Sequence, residues 1–143
     1  MISTKGRYAL RAMIDIAKFE KNGYVSIKDI SEREGISIKY LEQVISILVR
    51  TGYLISLRGN NGGYKLAKKA KEYKVGDILR AAEGSLAPVS CLSNPINECP
   101  RKSSCATLDF WTGLNNTINN YVDSFTLEDL VNKYVTEGGE YYI

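Results

Sequence analysis

A mainly α-helical fold with a small β wing is predicted by three features of this sequence. Two short capped helices flank a glycine near residue 35, a hairpin with a Gly/Asn tip follows them directly, and apolar residues recur every three or four positions through residues 108–125. Together they describe a winged helix-turn-helix joined to a long C-terminal helix.

The elements follow in order. Residues 6–20 place Ala9, Met13, Ile16 and Ala17 on one helical face with Leu10 and Ile14 beside it, and Asn22-Gly23 ends the run. In Val25-Ser26-Ile27-Lys28-Asp29-Ile30, Ser26 and Asp29 are spaced as a capping box and Val25 can staple to Ile30. Gly35 stops this second helix. Ser37 caps a third helix with Ile36 stapled to Leu41, and the helix runs to about Thr51, before Gly52. Its buried stripe is Leu41, Val44, Ile45 and Leu48. The opposite face carries Lys39, Tyr40, Glu42, Gln43, Ser46 and Arg50. Tyr53 to Arg58 reads as a strand, Gly59-Asn60-Asn61-Gly62-Gly63 as a turn, and Tyr64-Lys65-Leu66 as the returning strand. A basic connector, Lys68 to Lys74, leads to a fourth helix from Val75 that closes at Gly84. Residues 1–84 are therefore read as the winged helix-turn-helix region, 85–106 as a cysteine-containing loop, and 107–143 as a dimerisation helix with a C-terminal tail.

Composition narrows the function. At 143 residues, with 44% hydrophobic and 24% charged side chains, the chain supports one domain or a domain with a small appendage. No apolar run approaches the roughly 20 residues that span a bilayer, and the first residues lack the apolar stretch of a secretory signal. A cytoplasmic location without membrane contact is expected, where cysteines stay reduced unless metal or redox chemistry uses them. Histidine is absent, which removes the commonest general base and the commonest metal ligand. With no nucleophile motif and no paired carboxylates standing out, an enzyme is not expected.

The net charge of +3 conceals an asymmetry. Residues 1–75 hold 15 Lys and Arg against 7 Asp and Glu, whereas residues 76–143 hold 4 against 9. A polyanion facing the front half accounts for this, and double-stranded DNA suits the third helix. Gln43 can pair with adenine, Glu42 can accept from cytosine, and Lys39 can meet guanine or phosphate, with Tyr40 beside them. Any surface helix has a polar face, so the hairpin decides: directly after a helix-turn-helix it is a wing, and Arg58 near its tip is placed to enter a minor groove. Lys28 and Lys5, at the starts of the second and first helices, complete the candidate DNA contacts. A nucleotide-binding phosphate loop is rejected, because the spacing is wrong and no Gly-Lys-Ser/Thr follows.

Cys91, Cys99 and Cys105, separated by seven and five residues, are the only cysteines, and Pro88, Pro95 and Pro100 are the only prolines. A long irregular loop inside a small domain is usually functional. Thiolates gathered on one suit a soft metal or an iron–sulfur cluster. A disulfide would leave one cysteine odd.

The strings Ser3-Thr4-Lys5-Gly6-Arg7-Tyr8-Ala9-Leu10, Ile30-Ser31-Glu32-Arg33, Tyr40-Leu41-Glu42-Gln43 and Arg58-Gly59-x-x-Gly62-Gly63-Tyr64 resemble the signature of the Rrf2 family of bacterial winged-helix regulators. The resemblance is strongest over residues 3–66. It implies a homodimer on a pseudo-palindromic operator, with Lys39, Tyr40, Glu42 and Gln43 at the major groove and Arg58 as the wing arginine. IscR-like members imply a 2Fe-2S cluster on Cys91, Cys99 and Cys105, completed by a histidine. The matching position here is Leu108, and the first cysteine gap is longer than in that branch. NsrR-like members use an aspartate of the partner's first helix, where this chain has Arg7. Asp109, Glu98, another oxygen donor or a small thiol remain open as a fourth ligand. CymR-like members lack the cysteine loop and answer to a partner enzyme, cysteine synthase. The ending Glu140-Tyr141-Tyr142-Ile143 resembles the aromatic tail of that branch.

After Cys105, Leu108, Trp111, Leu114, Ile118, Tyr121 and Phe125 form the long apolar stripe. Pairing with a symmetry mate would bury it, as a palindromic site requires. A last short helix starts with the capping sequence around Thr126 and is expected to reach about Tyr134. Because the cysteine loop joins the wing-bearing region to the dimer helix, its state is expected to alter the spacing of the two recognition helices.

Overall fold

Serine hydroxyls start the first three helices of the computed structural model, which describes residues 1–137 and side chains through Lys133. Ser3 accepts from the Lys5 amide at the head of α1 (Thr4–Phe19). Ser26 accepts from Asp29 at 3.1 Å to open α2 (Ile27–Glu34), and Ser37 accepts from Tyr40 at 3.2 Å to open α3 (Ile38–Arg50). α1 begins two residues earlier than its apolar periodicity suggests, because the cap lies outside the amphipathic pattern. Gly35 ends α2 at φ 66°, in the left-handed region that favours glycine. The α2–α3 connection is therefore a tight turn.

Strands β1 (Leu54–Leu57) and β2 (Gly63–Leu66) pair antiparallel, with Leu54 opposite Leu66 and Leu57 opposite Gly63. Val25 adds a one-residue bridge, exchanging backbone hydrogen bonds with Tyr64 at 2.9 and 2.8 Å. A Cβ on Gly63 would collide with the Val25 carbonyl, so glycine is what lets the wing dock ahead of α2.

Two helices beyond the wing complete the core. Ala9, Ala12, Met13 and Ile16 of α1 pack with Ile30, Leu41, Val44, Ile45 and Leu48, and also with Ile78 and Ala82 of α4 (Val75–Glu83) and Leu127 of α6 (Leu127–Glu137). The first three helices and wing do not close it alone, since the alanines of α1 admit neighbours on several sides. A second cluster of Val75, Leu79, Leu86 and Val122 seats α5 (Leu108–Asp123) on α4.

The single apolar stripe expected on α5 is divided between two adjacent arcs. Ile118 and Val122 turn inward, whereas Phe110 and Tyr121, each 65% exposed, and Leu114, 37% exposed, face outward. Glu140 to Ile143, the aromatic tail, lies outside the described residues. Among the described residues no helix is long and apolar enough to cross a membrane.

Three polar contacts lock this packing. Asp15, buried on α1, accepts from Nε and Nη2 of Arg33 on α2 at 2.9 and 2.8 Å, while that guanidinium lies 3.9 Å from the Phe19 ring centre. Glu83 of α4 covers the start of α1, accepting from the Ser3 hydroxyl at 2.6 Å and from the Ser3 and Gly6 amides. Burial opposes its charge, but these donors outweigh burial and hold the carboxyl below the ordinary glutamate range.

The third contact is Tyr73. Its buried hydroxyl donates to the Tyr53 carbonyl at 2.7 Å and accepts from the amides of Ala67 and Lys68 at 2.9 and 3.2 Å. Its own carbonyl receives the Leu127 amide at 3.0 Å. Tyr73→Phe removes one oxygen and with it three part-buried hydrogen bonds that tie the two ends of the wing together. Urea denaturation is expected to show a loss of about 1–3 kcal/mol, and an unchanged midpoint would contradict this role.

Candidate DNA interface and cysteine loop

α3 buries Leu41, Val44, Ile45 and Leu48 and exposes Lys39, Glu42, Gln43, Ser46 and Arg50, as its 3.6-residue period requires. The wing stands beside the exposed face. Between them lies an open cleft of about 490 Å³, with Glu42, Ser46 and Arg50 on the helix wall and Ser56, Arg58 and Tyr64 on the wing wall. Ser26 and Ile27 also line it. Glu42 and Arg58, distant in sequence, thus share one surface.

The other candidates are placed differently. Lys39 and Gln43 are exposed on α3 but do not line the cleft. Tyr40 is half-buried, its ring edge-on to Tyr8 at 5.3 Å between centres, so it braces α3 against α1. Lys28 is exposed in the first turn of α2 and Lys5 in the first turn of α1. Ser46 and Arg50, which the sequence places on the same exposed face four and eight residues after Glu42, line the cleft with it.

The cysteine loop joins α4 to α5. It is irregular apart from one 3₁₀ turn at Ser90–Leu92, and buried Leu86 anchors it to the second core cluster. All three cysteines are free thiols. Cys91 and Cys99 are half-buried and line one concavity of about 260 Å³ with Ser90, Asn94, Ile96 and Glu98. Cys105 is exposed, and its sulfur lies 3.5 Å from the Thr107 hydroxyl. Hydrogen bonds from Thr107, side chain and then amide, draw its pKa below the usual thiol value.

A cluster needs its thiolates around one centre. Among the described residues, no three Cys, Asp or Glu side chains are gathered closely enough to hold a metal ion. The thiol chemistry suits iron, but this arrangement does not fit the group: two thiols share the concavity and the third is outside its lining.

Beneath the loop, Arg80 of α4 clamps α5. It donates to Asn119 at 2.8 and 3.2 Å and to Asp123 at 2.8 Å, and reaches Asp77 on its own helix at 3.2 Å. A Cβ at Gly76 would collide with Asp123, so glycine allows the two helices to approach this closely. Arg80 and Asn119 also line an open cleft of about 400 Å³ with loop residues Leu92 to Pro95.

Comparison with known proteins places this geometry. A family model described as Rrf2, iron-dependent transcriptional regulator, matches residues 2–133. Protein rrf2 of Nitratidesulfovibrio vulgaris is 43% identical over 131 residues, covering 91% of this chain and 86% of the relative. The structure of CymR, the global cysteine regulator of B. subtilis, superposes with a TM-score of 0.75 at 35% identity, covering 93% of this chain and 97% of that one. That of T. potens IscR gives 0.71 at 38% identity, covering 93% and 87%. With its helix-turn-helix, wing and C-terminal helices all within the match, the chain belongs to the Rrf2 family, whose members are DNA-binding transcription regulators and not enzymes.

Proposed function

We propose that this protein is a homodimeric repressor that binds a pseudo-palindromic operator and responds to the state of its cysteine loop. The observation that carries the reading is the cleft in which Glu42, Arg50 and Arg58 line facing walls. An α3 inserted in the major groove presents Lys39, Glu42 and Gln43 to base edges. The wing then carries Arg58 to the adjoining minor groove, while Lys28 and Lys5 meet phosphates. In this reading residues 1–84 are the reading head, 85–106 the sensor loop and 107–143 the dimer helix and tail, with Leu127 of α6 reaching back into the core of the reading head.

The second copy pairs through the outward face of α5. Phe110, Leu114 and Tyr121 are exposed there, and a two-fold operator calls for a two-fold protein. Because Arg80 holds α4 to α5 beneath the loop, a change in the loop tilts α5 against the reading head and alters the separation of the two α3 helices. Iron–sulfur loading is the signal that the family resemblance implies. It would require the loop to close so that Cys91, Cys99 and Cys105 meet.

A second reading is favoured by the ungathered thiols and by the likeness to CymR. There the effector is a partner enzyme, cysteine synthase, and the cysteines are redox-active or incidental.

Three measurements test these statements. Arg58→Ala is expected to weaken operator binding by about 1–3 kcal/mol and to lower the salt slope by about one; unchanged binding at every salt would exclude the wing contact. Leu114→Asp is expected to yield monomers in sedimentation and to cost on the order of a hundredfold in operator affinity. A stable dimer would place the interface elsewhere. Under the cluster reading, protein purified without oxygen carries iron and sulfide, and Cys91→Ala loses them. Colourless, iron-free protein whose operator binding ignores Cys91→Ala would discard the cluster, and capture of cysteine synthase would then favour the partner-enzyme reading.

A further inference from the structure

Ile38 is the first residue of α3 and is 41% exposed. Local structure does not ask for isoleucine there. The hydrophobic entry to the helix is already supplied by Ile36, 2% exposed, and by fully buried Leu41. Ser37 provides the cap. A β-branched side chain is a mediocre helix former, and a polar residue or alanine would serve the first turn better. Among the described residues Ile38 is neither in the core clusters nor among the partly buried side chains packed against them.

An isolated surface isoleucine is ordinary. Its position is not. Side chains at the leading end of a recognition helix are those that reach base edges. Four residues on, and therefore on the same side one turn later, stands Glu42, with Lys39 immediately next in sequence; both are exposed. The major-groove edge of a base pair carries one apolar group, the C5 methyl of thymine.

We propose that Ile38 is a specificity-determining residue that packs on a thymine methyl in each operator half-site. The inference rests on the DNA-binding reading above and deepens it. Water is excluded between two apolar surfaces that are each wet beforehand, so the gain is that of burying a methyl group. Glu42, about 6 Å further along the helix axis, accepts from a cytosine amino group. Since base pairs rise by about 3.4 Å, that cytosine lies one or two pairs from the thymine read by Ile38.

The test is a methyl-deletion scan. Duplexes are selected from a randomised pool with the full-length wild-type protein, and each thymine of the enriched site is replaced in turn by deoxyuridine, which lacks only the methyl. Wild-type protein is expected to lose about fourfold at one thymine per half-site. Ile38→Ala is expected to bind the thymine and deoxyuridine forms equally, and as tightly as wild type binds a duplex that carries deoxyuridine at that position in both half-sites. Ile38→Val, which lacks only the terminal Cδ1 carbon, should retain part of the discrimination. A full penalty persisting in Ile38→Ala would overturn the proposal, as would a wild-type protein indifferent to every substitution. If the wild-type protein enriches no duplex at all, the DNA interface fails as a whole; if it enriches one and ignores the methyl, only the role of Ile38 fails.

Discussion

The hydroxyl of Tyr73 is the constraint on which the arrangement of the other parts depends. A phenol buried to 1% exposure must place its donor and acceptor on the protein, and this one does so at three points. One is the Tyr53 carbonyl just before β1, and two are the amides just after β2. Both ends of the wing are therefore pinned to one oxygen, and the wing cannot pivot freely against α3. Burial pushes the Tyr73 pKa up, so the hydroxyl keeps its proton and the junction keeps its donor. The backbone of the same residue receives the head of α6, and Lys74 pairs with Thr126. Wing, connector and C-terminal helices meet there.

That junction explains how a small chain can act as one body at the DNA and still be adjustable behind it. The reading head is locked by Asp15 to Arg33, by Glu83 over the start of α1 and by Tyr73 at the wing. The α4–α5 joint is held differently. Its main polar clamp is Arg80, whose partners are only partly buried, and Asp123 Oδ1 is buried there with no hydrogen-bond partner among the described residues. A partly satisfied polar joint has less to lose on rearranging than a fully satisfied one. The cysteine loop runs directly over it. In the function proposed above, a signal that moves the loop would meet the less rigid side of the molecule first.

What could be read in advance was local. Caps at Ser26 and Ser37, the stop at Gly35, the Gly/Asn hairpin and the buried stripe of α3 each depend on residues within a few positions of one another, so their spacing specifies them. The exposed face of α3 and the place of Arg58 followed for the same reason. Tyr73, Asp15 and Glu83 left no such trace, because the Tyr53 carbonyl, Arg33 and Ser3 lie 20, 18 and 80 residues from them and an ordinary polar residue carries no label for a distant partner. Ile38 carries no mark in the sequence either, because isoleucine at that position suits a buried or an exposed site until its exposure is known.

The sequence by itself determined the class of fold, the exposed face of α3 and the family, since helix period, turn chemistry and charge distribution are all short-range properties of the chain. Only the tertiary structure decided that α4 and α6 complete the core, that α5 divides its apolar residues between an inward and an outward arc, and that Tyr40 braces α1. The same holds for the thiols, of which Cys91 and Cys99 share one concavity while Cys105 does not. Those outcomes depend on which surfaces compete to be buried, and that competition is settled by all the packed elements together.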